Sequence, residues 1–240
     1  IVVAAANPEP RTGFIDRAVV AAFDAGIEPI LCITKTDVRY PQNLLDYYAA
    51  SGLKIVLSSS SDGLAPSQEG AAGLESAPVQ ELLQELLGQV SVLLGHSGVG
   101  KSTLVNALTG SERATGHVNA VTGRGRHTSS SALALRPVNA SGEPMEPGTW
   151  IIDTPGIRSF GLAHVPPETV VEAFVDLAPG AADCPKACTH AAQAPECGLE
   201  AYVDAGHAGE SGPARLESLR KLLLLTPEEG DSEKELGALV

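Results

Sequence analysis

Eight residues, Gly95-His96-Ser97-Gly98-Val99-Gly100-Lys101-Ser102, constrain this chain more than any other stretch. They satisfy G-x-x-x-x-G-K-[ST] without deviation, follow an apolar run, Val90–Leu94, and precede a helical stretch, Ser102–Leu108. Strand, glycine-rich turn and helix in that order commit the chain to a β-loop-α unit whose backbone N–H groups converge on one point. Glycines 95, 98 and 100 permit the curl. Lys101 can reach the β- and γ-phosphates of a nucleotide, the Ser102 hydroxyl can ligate Mg²⁺, and His96, Ser97, Val99 and Thr103 complete the loop.

A base reader precedes this loop instead of following it. Thr34-Lys35-Thr36-Asp37 comes after the apolar run Glu28–Ile33. The Asp37 carboxylate can accept from N1–H and from the exocyclic amine of guanine, a donor pair that adenine lacks. The Lys35 stem can lie over the base, and Thr34 stands where Asn is usual. Read alone, the four residues are also a strand-to-helix turn with an N-cap Asp. Ser58 and Ser59, after the run Leu53–Leu57, can offer a backbone contact to the guanine oxygen. Downstream, Asp153-Thr154-Pro155-Gly156 ends the run Trp150–Ile152; Asp153 can hold Mg²⁺ through water and the Gly156 N–H can sense a γ-phosphate. Between loop and sensor, Gly123–Ser131 is placed as the first switch, with Thr128 as its Mg²⁺ ligand and Ser129 as the competitor. Ile157 occupies the position of the water-orienting Gln, so unassisted hydrolysis is expected to be slow; His127 is the candidate to orient or deprotonate the water. Base reader first, phosphate loop and sensor after: that order predicts a circularly permuted GTPase.

Short apolar runs alternate with amphipathic stretches, which predicts βαβ units and a mostly parallel, doubly wound α/β sheet. Strands are expected at Ile1–Ala6, Glu28–Ile33, Leu53–Leu57, Val90–Leu94 and Thr149–Ile152. Helices are expected at Ile15–Ala25, Gln42–Ser51, Val79–Leu87 and Ser102–Leu108, with glycine after each as the stop. Ser58–Pro78 and Asn139–Gly148 read as mobile loops. The character changes near Gly161–Pro166: Pro166-Pro167-Glu168 opens a helix, and Pro213–Leu225 is amphipathic. We therefore divide the chain into a nucleotide domain, 1–164, and a helical C-terminal domain, 165–240. At 240 residues there is room for one sizeable core and a small appendage.

A formal charge of −13 excludes a broadly basic, nucleic-acid-gripping surface, although Arg124, Arg126 and His127 form a local basic patch. No apolar run nears the roughly 18 residues that span a bilayer, and no secretory leader is visible, so a cytoplasmic protein without membrane contact is expected. The start at Ile1, directly in a strand and without an initiator Met, is read as trimming from a longer protein.

Cys184, Cys188, His190 and Cys197 offer three thiolates and one imidazole in C-x3-C-x-H-x6-C spacing. Such a set suits one tetrahedral Zn²⁺ in a closed structural site, and a small helical domain gains stability from it. Cys32, inside an apolar strand, reads as a packed core thiol and His207 as exposed.

Taken together, Ile15-Asp16-Arg17, TKTD, GHSGVGKST, GRGRHT, DTPGIRSFGL and the cysteine cluster resemble the RsgA family (YjeQ/YloQ-like) of circularly permuted GTPases in small-ribosomal-subunit biogenesis. The resemblance implies a permuted P-loop GTPase domain followed by a zinc-binding helical domain, with an OB-fold domain in front that these 240 residues do not contain. It implies GTP hydrolysis, slow alone and stimulated by the small subunit, during late maturation. The implied partners are GTP, GDP and the small subunit with its rRNA, for a monomer. The rival reading is a nucleotide-controlled ribosome- or RNA-binding module in which hydrolysis is incidental. An ATP-using P-loop enzyme and a zinc-based DNA binder are weaker, the first because of Asp37, the second because few basic or aromatic residues surround the cluster.

Overall fold

Most of the short strands are apolar and rich in β-branched residues, the composition of a parallel sheet. β1 (Val2–Ala4), β2 (Ile30–Thr34) and β3 (Lys54–Leu57) pair in parallel, with Val2 opposite Cys32 and Ile33 opposite Leu57. β4 (Val90–Leu93) lies parallel to β6 (Trp150–Asp153), and β5 (Leu133–Leu135) runs antiparallel on the far side of β6. Val2 N–H donates to Leu94 O at 2.7 Å, which joins the two three-stranded sheets at β1 and β4. The structure, a computed structural model, describes residues 1–59, 76–111, 132–139, 141–155 and 161–224.

Two compact units emerge, and neither is one continuous stretch. The first takes the described residues of Ile1–Arg11, Ile30–Pro41 and Lys54–Ser159. Its core is the sheet covered by α3 (Ala77–Leu86) and α4 (Lys101–Thr109). In α3, Val79, Leu82, Leu83 and Leu86 recur at i, i+3, i+4 and i+7, so one stripe is buried. Leu104, Val105 and Leu108 do the same from α4. Cys32 is buried in this core, where desolvation pushes its thiol up to about 12.

The second unit takes Thr12–Pro29, Gln42–Leu53 and the described residues of Phe160–Val240. Helices α1 (Thr12–Asp24) and α2 (Gln42–Tyr48), which alternate with the strands in sequence, pack here with α5 (Pro167–Glu172), a 3-10 helix (Ala178–Asp183), α6 (Gly198–Asp204) and α7 (Gly212–Leu223). Phe174, Leu177, Leu199 and Leu219 are buried in its apolar core, and a polar centre is enclosed beside them. Arg215, 3% exposed, donates Nε and Nη2 to Asp176 at 2.8 and 2.9 Å and Nη1 to Asp16 at 2.6 Å. Asp16 also accepts from Tyr47 and Tyr48, each at 3.0 Å, and from Ser218 at 2.5 Å. The guanidinium lies over Phe174, 4.4 Å from the ring centre. Three rings and four donors thus replace the water that buried charges require.

Boundaries follow the sequence to within a few residues. α3 starts at Ala77 because Pro78 suits the first helical turn. Three elements go beyond the expected set: β5, the 3-10 helix and α6. Asn139–Gly148 holds a bridge between Val138 and Pro144, with Asn139 Oδ1 accepting from Ser141 and Glu143 N–H. Among the described residues, no helix is long and apolar enough to cross a membrane.

Candidate nucleotide site and metal cluster

The phosphate loop leaves β4 at its C-terminal end and enters α4, with Gly100 as the helix cap. Two glycines are required by close approach. A Cβ on Gly95 would stand 2.5 Å from Val2 O, and one on Gly100, at φ +91°, would meet the Thr34 side chain at 3.3 Å. The base-reading turn therefore packs directly on the phosphate loop. Thr34, 6% exposed, places Oγ1 2.5 Å from Val99 O and 3.2 Å from Val3 O. One hydroxyl proton serves the nearer acceptor, so Thr34 ties the end of β2 to the loop.

Lys35 takes a left-handed conformation, φ +58°, and donates Nζ to Gly98 O at 2.7 Å and to Asn7 O. Burial lowers its pKa, opposed by Asp37. Thr36 fastens the turn to the end of β3, since its N–H and hydroxyl both reach Ser58 O at 3.1 Å. Asp37 is exposed at the tip. Ser58 is 1% exposed and its Oγ finds no hydrogen-bond partner among the described residues, while Ser59 beside it is half-buried. All six residues lie in one unit with the loop.

Lys101, 8% exposed, donates to Asp153 Oδ1 at 2.9 Å and to Thr154 O. Thr154 in turn donates its hydroxyl to Leu93 O at 2.7 Å, pinning the end of β6 to β4. Ser102 and Thr103 are half-buried in the first turn of α4, and His96 and Ser97 are half-buried in the loop. His127, Thr128, Gly156 and Ile157 lie outside the described residues. Sequence reasoning missed Asn7 because it contributes a backbone carbonyl, which carries no residue-type signal.

In the second unit the four predicted ligands meet. The sulfurs of Cys184, Cys188 and Cys197 and one ring nitrogen of His190 all lie within 4.8 Å of one another. His190 Nδ1 is 3.5 Å from Cys184 Sγ and 3.9 Å from Cys197 Sγ. A tetrahedral zinc with bonds of about 2.3 Å to sulfur and about 2.05 Å to nitrogen requires S···N near ~3.6 Å, so the donor set fits. Gly198 N–H donates to Cys184 Sγ at 3.2 Å and His190 N–H to Cys188 Sγ at 3.4 Å, contacts that favour thiolate. Burial, then the neighbouring Arg220, lowers the His190 pKa and keeps the imidazole neutral, as a ligand must be. Burial pushes the Cys188 thiol up, opposed by the His190 N–H. Ala187, His190 and Glu196 all have φ near +57°, at 59°, 56° and 55°, each a costly conformation for a non-glycine residue. Arg220, absent from any motif, donates Nε to His190 O at 2.9 Å and Nη2 to Glu200 at 2.8 Å, fastening α7 to the ligand loop. His207 is exposed, 5.0 Å from the Tyr202 ring.

With this geometry in hand, likeness to known proteins becomes informative. Residues 1–163 match the family model described as RsgA GTPase. The protein "Small ribosomal subunit biogenesis GTPase RsgA" of Pseudomonas aeruginosa is 36% identical over 236 residues, covering 95% of this chain and 62% of that protein. The protein of the same name from Azotobacter vinelandii is 36% identical over 230 residues, with the same shares covered. The chain thus spans about three fifths of the length of these curated relatives. Among solved structures, YjeQ from Thermotoga maritima superposes with a TM-score of 0.61 at 26% identity, covering 92% of this chain and 69% of the other. YloQ, described as a circularly permuted GTPase, gives 0.61 at 22% identity over 95% and 68%, a likeness of fold. The chain belongs to the RsgA GTPase family.

Proposed function

We propose that this chain binds GTP and GDP with Mg²⁺, hydrolyses GTP, and acts in late maturation of the small ribosomal subunit, slowly alone and faster on the subunit. One observation carries the reading. Thr34 and Lys35 hydrogen-bond to Val99 O and Gly98 O, so a guanine reader and a phosphate loop far apart in sequence form one site. The names of the relatives supply the biological setting.

Asp37 selects guanine, Lys35 covers the base, and Ser58 and Ser59 face its oxygen. The N–H groups of Gly95–Lys101 wrap the phosphates. Lys101 must exchange Asp153 and Thr154 O for phosphate oxygens when nucleotide enters. Ser102, Thr128 and, through water, Asp153 would hold the magnesium ion, which offsets the charge on the transferring phosphoryl group. Water attacks the γ-phosphorus in line, the bond to the β-phosphate oxygen breaks, and Lys101 with the Gly156 N–H stabilises the charge that develops. His127 orients the water in place of the missing Gln. Cys184, Cys188, His190 and Cys197 would hold one structural zinc that fastens the helical domain, 165–240, next to the nucleotide domain in sequence, 1–164. The GTP state docks on the pre-ribosomal particle and the GDP state leaves; the protein works as a cytoplasmic monomer.

Calorimetry with GDP and a non-hydrolysable GTP analogue against their adenine counterparts tests the site. A guanine preference of about a hundredfold, or ~2.7 kcal/mol, is expected. Equal binding of both bases would reduce the base-reading turn to a plain turn. GTP turnover unchanged by added small subunits would overturn the proposal that the subunit stimulates hydrolysis.

A further inference from the structure

The base-reading turn is held from three sides, and one holder belongs to no nucleotide motif. Val99 O and Gly98 O of the phosphate loop hold Thr34 and Lys35, and Ser58 O holds Thr36. The third side is the segment after β1. Ala5 N–H donates to Thr34 O at 2.8 Å, and Asn7 O receives Lys35 Nζ. Both of these bind the residues before Asp37. Among the described residues, the limb after Asp37 has one side-chain anchor there: Arg39 donates Nη2 to Ala5 O at 2.5 Å and forks onto Glu9, at 3.0 Å from Nη1 and 2.5 Å from Nη2. Val38 and Tyr40, on either side of it, are 58% and 60% exposed, so core burial does little to fix this limb.

We propose that Arg39, braced by Glu9 and Ala5 O, is a positioning residue that sets the angle of the Asp37 carboxylate toward the exocyclic amine of guanine. The inference rests on the nucleotide reading above. A planar fork bound bidentately fixes direction as well as distance, which a lysine does not do. Glu9 is held below its usual pKa by the hydrogen bond from Arg39, and Arg39 above its own by the same bond. Side-chain exposures of 50% and 68% make the pair accessible to salt, so its effect is modest and screenable.

Inosine diphosphate separates this role from mere support of the fold, because it keeps N1–H and the ring oxygen but lacks the amine. For the unsubstituted chain, GDP should bind about tenfold or more tighter than IDP. Arg39→Gln is expected to lower that ratio about two- to fivefold, Glu9→Gln to lower it less, and ~1 M salt to bring the unsubstituted chain toward the Arg39→Gln value. A ratio that Arg39→Gln leaves intact, even with both affinities reduced in parallel, overturns the proposal. So does equal binding of GDP and IDP by the unsubstituted chain. Loss of guanine-over-adenine preference in that chain is a different failure and removes the nucleotide reading itself.

Discussion

Replacing Arg215 by Met tests the polar centre of the second unit. The side chain is 3% exposed, and the carboxylates it pairs with, Asp16 and Asp176, are each 1% exposed. Met fills much of the volume but leaves two buried carboxylates with no cation. Breaking one partner of a buried ion pair costs about 3–5 kcal/mol, because the desolvation of the survivor is no longer offset. For a chain of this length that corresponds to a fall in Tm of about 6–20 °C. Hydrogen exchange localises the loss: amides of α1, α2 and α7 should exchange faster, while those of α3 and α4 change little. The penalty should also depend on pH. Burial already raises the Asp16 pKa above its ordinary 3.8, against the pull of Arg215. An acid with a raised folded-state pKa contributes stability that is present below the unfolded value and lost as pH rises through the folded one. Removing the guanidinium raises Asp16 further, so the variant's deficit should grow from pH 5 to pH 8. Adding Asp16→Asn and Asp176→Asn to Arg215→Met should recover part of the loss, since no bare charge remains. A single Arg215→Met variant within about 1 kcal/mol of the parent, or a deficit that shrinks toward pH 8, refutes the reasoning.

Four further outcomes are expected. Asp37→Asn should weaken GDP binding by at least about tenfold and improve binding of the xanthine nucleotide, read by calorimetry, because an amide presents a donor where guanine also donates. Thr34→Val, nearly isosteric, leaves Val99 O without its hydroxyl donor and should cost about 1–3 kcal/mol in urea unfolding together with weaker nucleotide binding. Purified protein should carry one zinc per chain by elemental mass spectrometry, and Cys188→Ser should lose it and speed exchange in α6; full metal retention would contradict the ligand assignment. Gly198→Ala drives a Cβ into the backbone carbonyl of Gly180, which has no flexible side chain to move aside, and should lower stability by about 1–3 kcal/mol with metal content as a check on the adjacent Cys197.

Local chemistry was legible in the sequence; long-range chemistry was not. The glycines, Lys101 and the four metal ligands declare themselves because their spacing in sequence is their spacing in function. Strand and helix periods placed α3 and α4 to within two residues. β5, Leu133–Leu135, is apolar at all three positions and so shows no alternation, and α6 opens on Gly198, a poor helix former, after a loop dense in Pro and Cys. The assignment of α1 and α2 to the second unit depends on Asp16 meeting Arg215 across 199 positions. Nothing near Asp16 announces that partner. Thr34 shows a subtler limit: its residue type marks only a departure from Asn, whereas its position lets the hydroxyl grip the phosphate loop itself.

The Asp16–Arg215 pairing also bears on how the chain is made. Synthesis proceeds from the N-terminus at about 5–20 residues per second, so Asp16 waits ~10–40 s for a residue 199 positions downstream. During that interval α1 and α2 cannot be buried without stranding a carboxylate and two tyrosine hydroxyls in apolar surroundings. A nascent chain can therefore display the base reader, the phosphate loop and the sensor while its second unit is still open. A chain that ends before Arg215 carries the nucleotide motifs but lacks the cation that α1 and α2 would enclose, so Asp16 keeps its water. Completion of α7 thus supplies the charge on which closure of α1 and α2 waits.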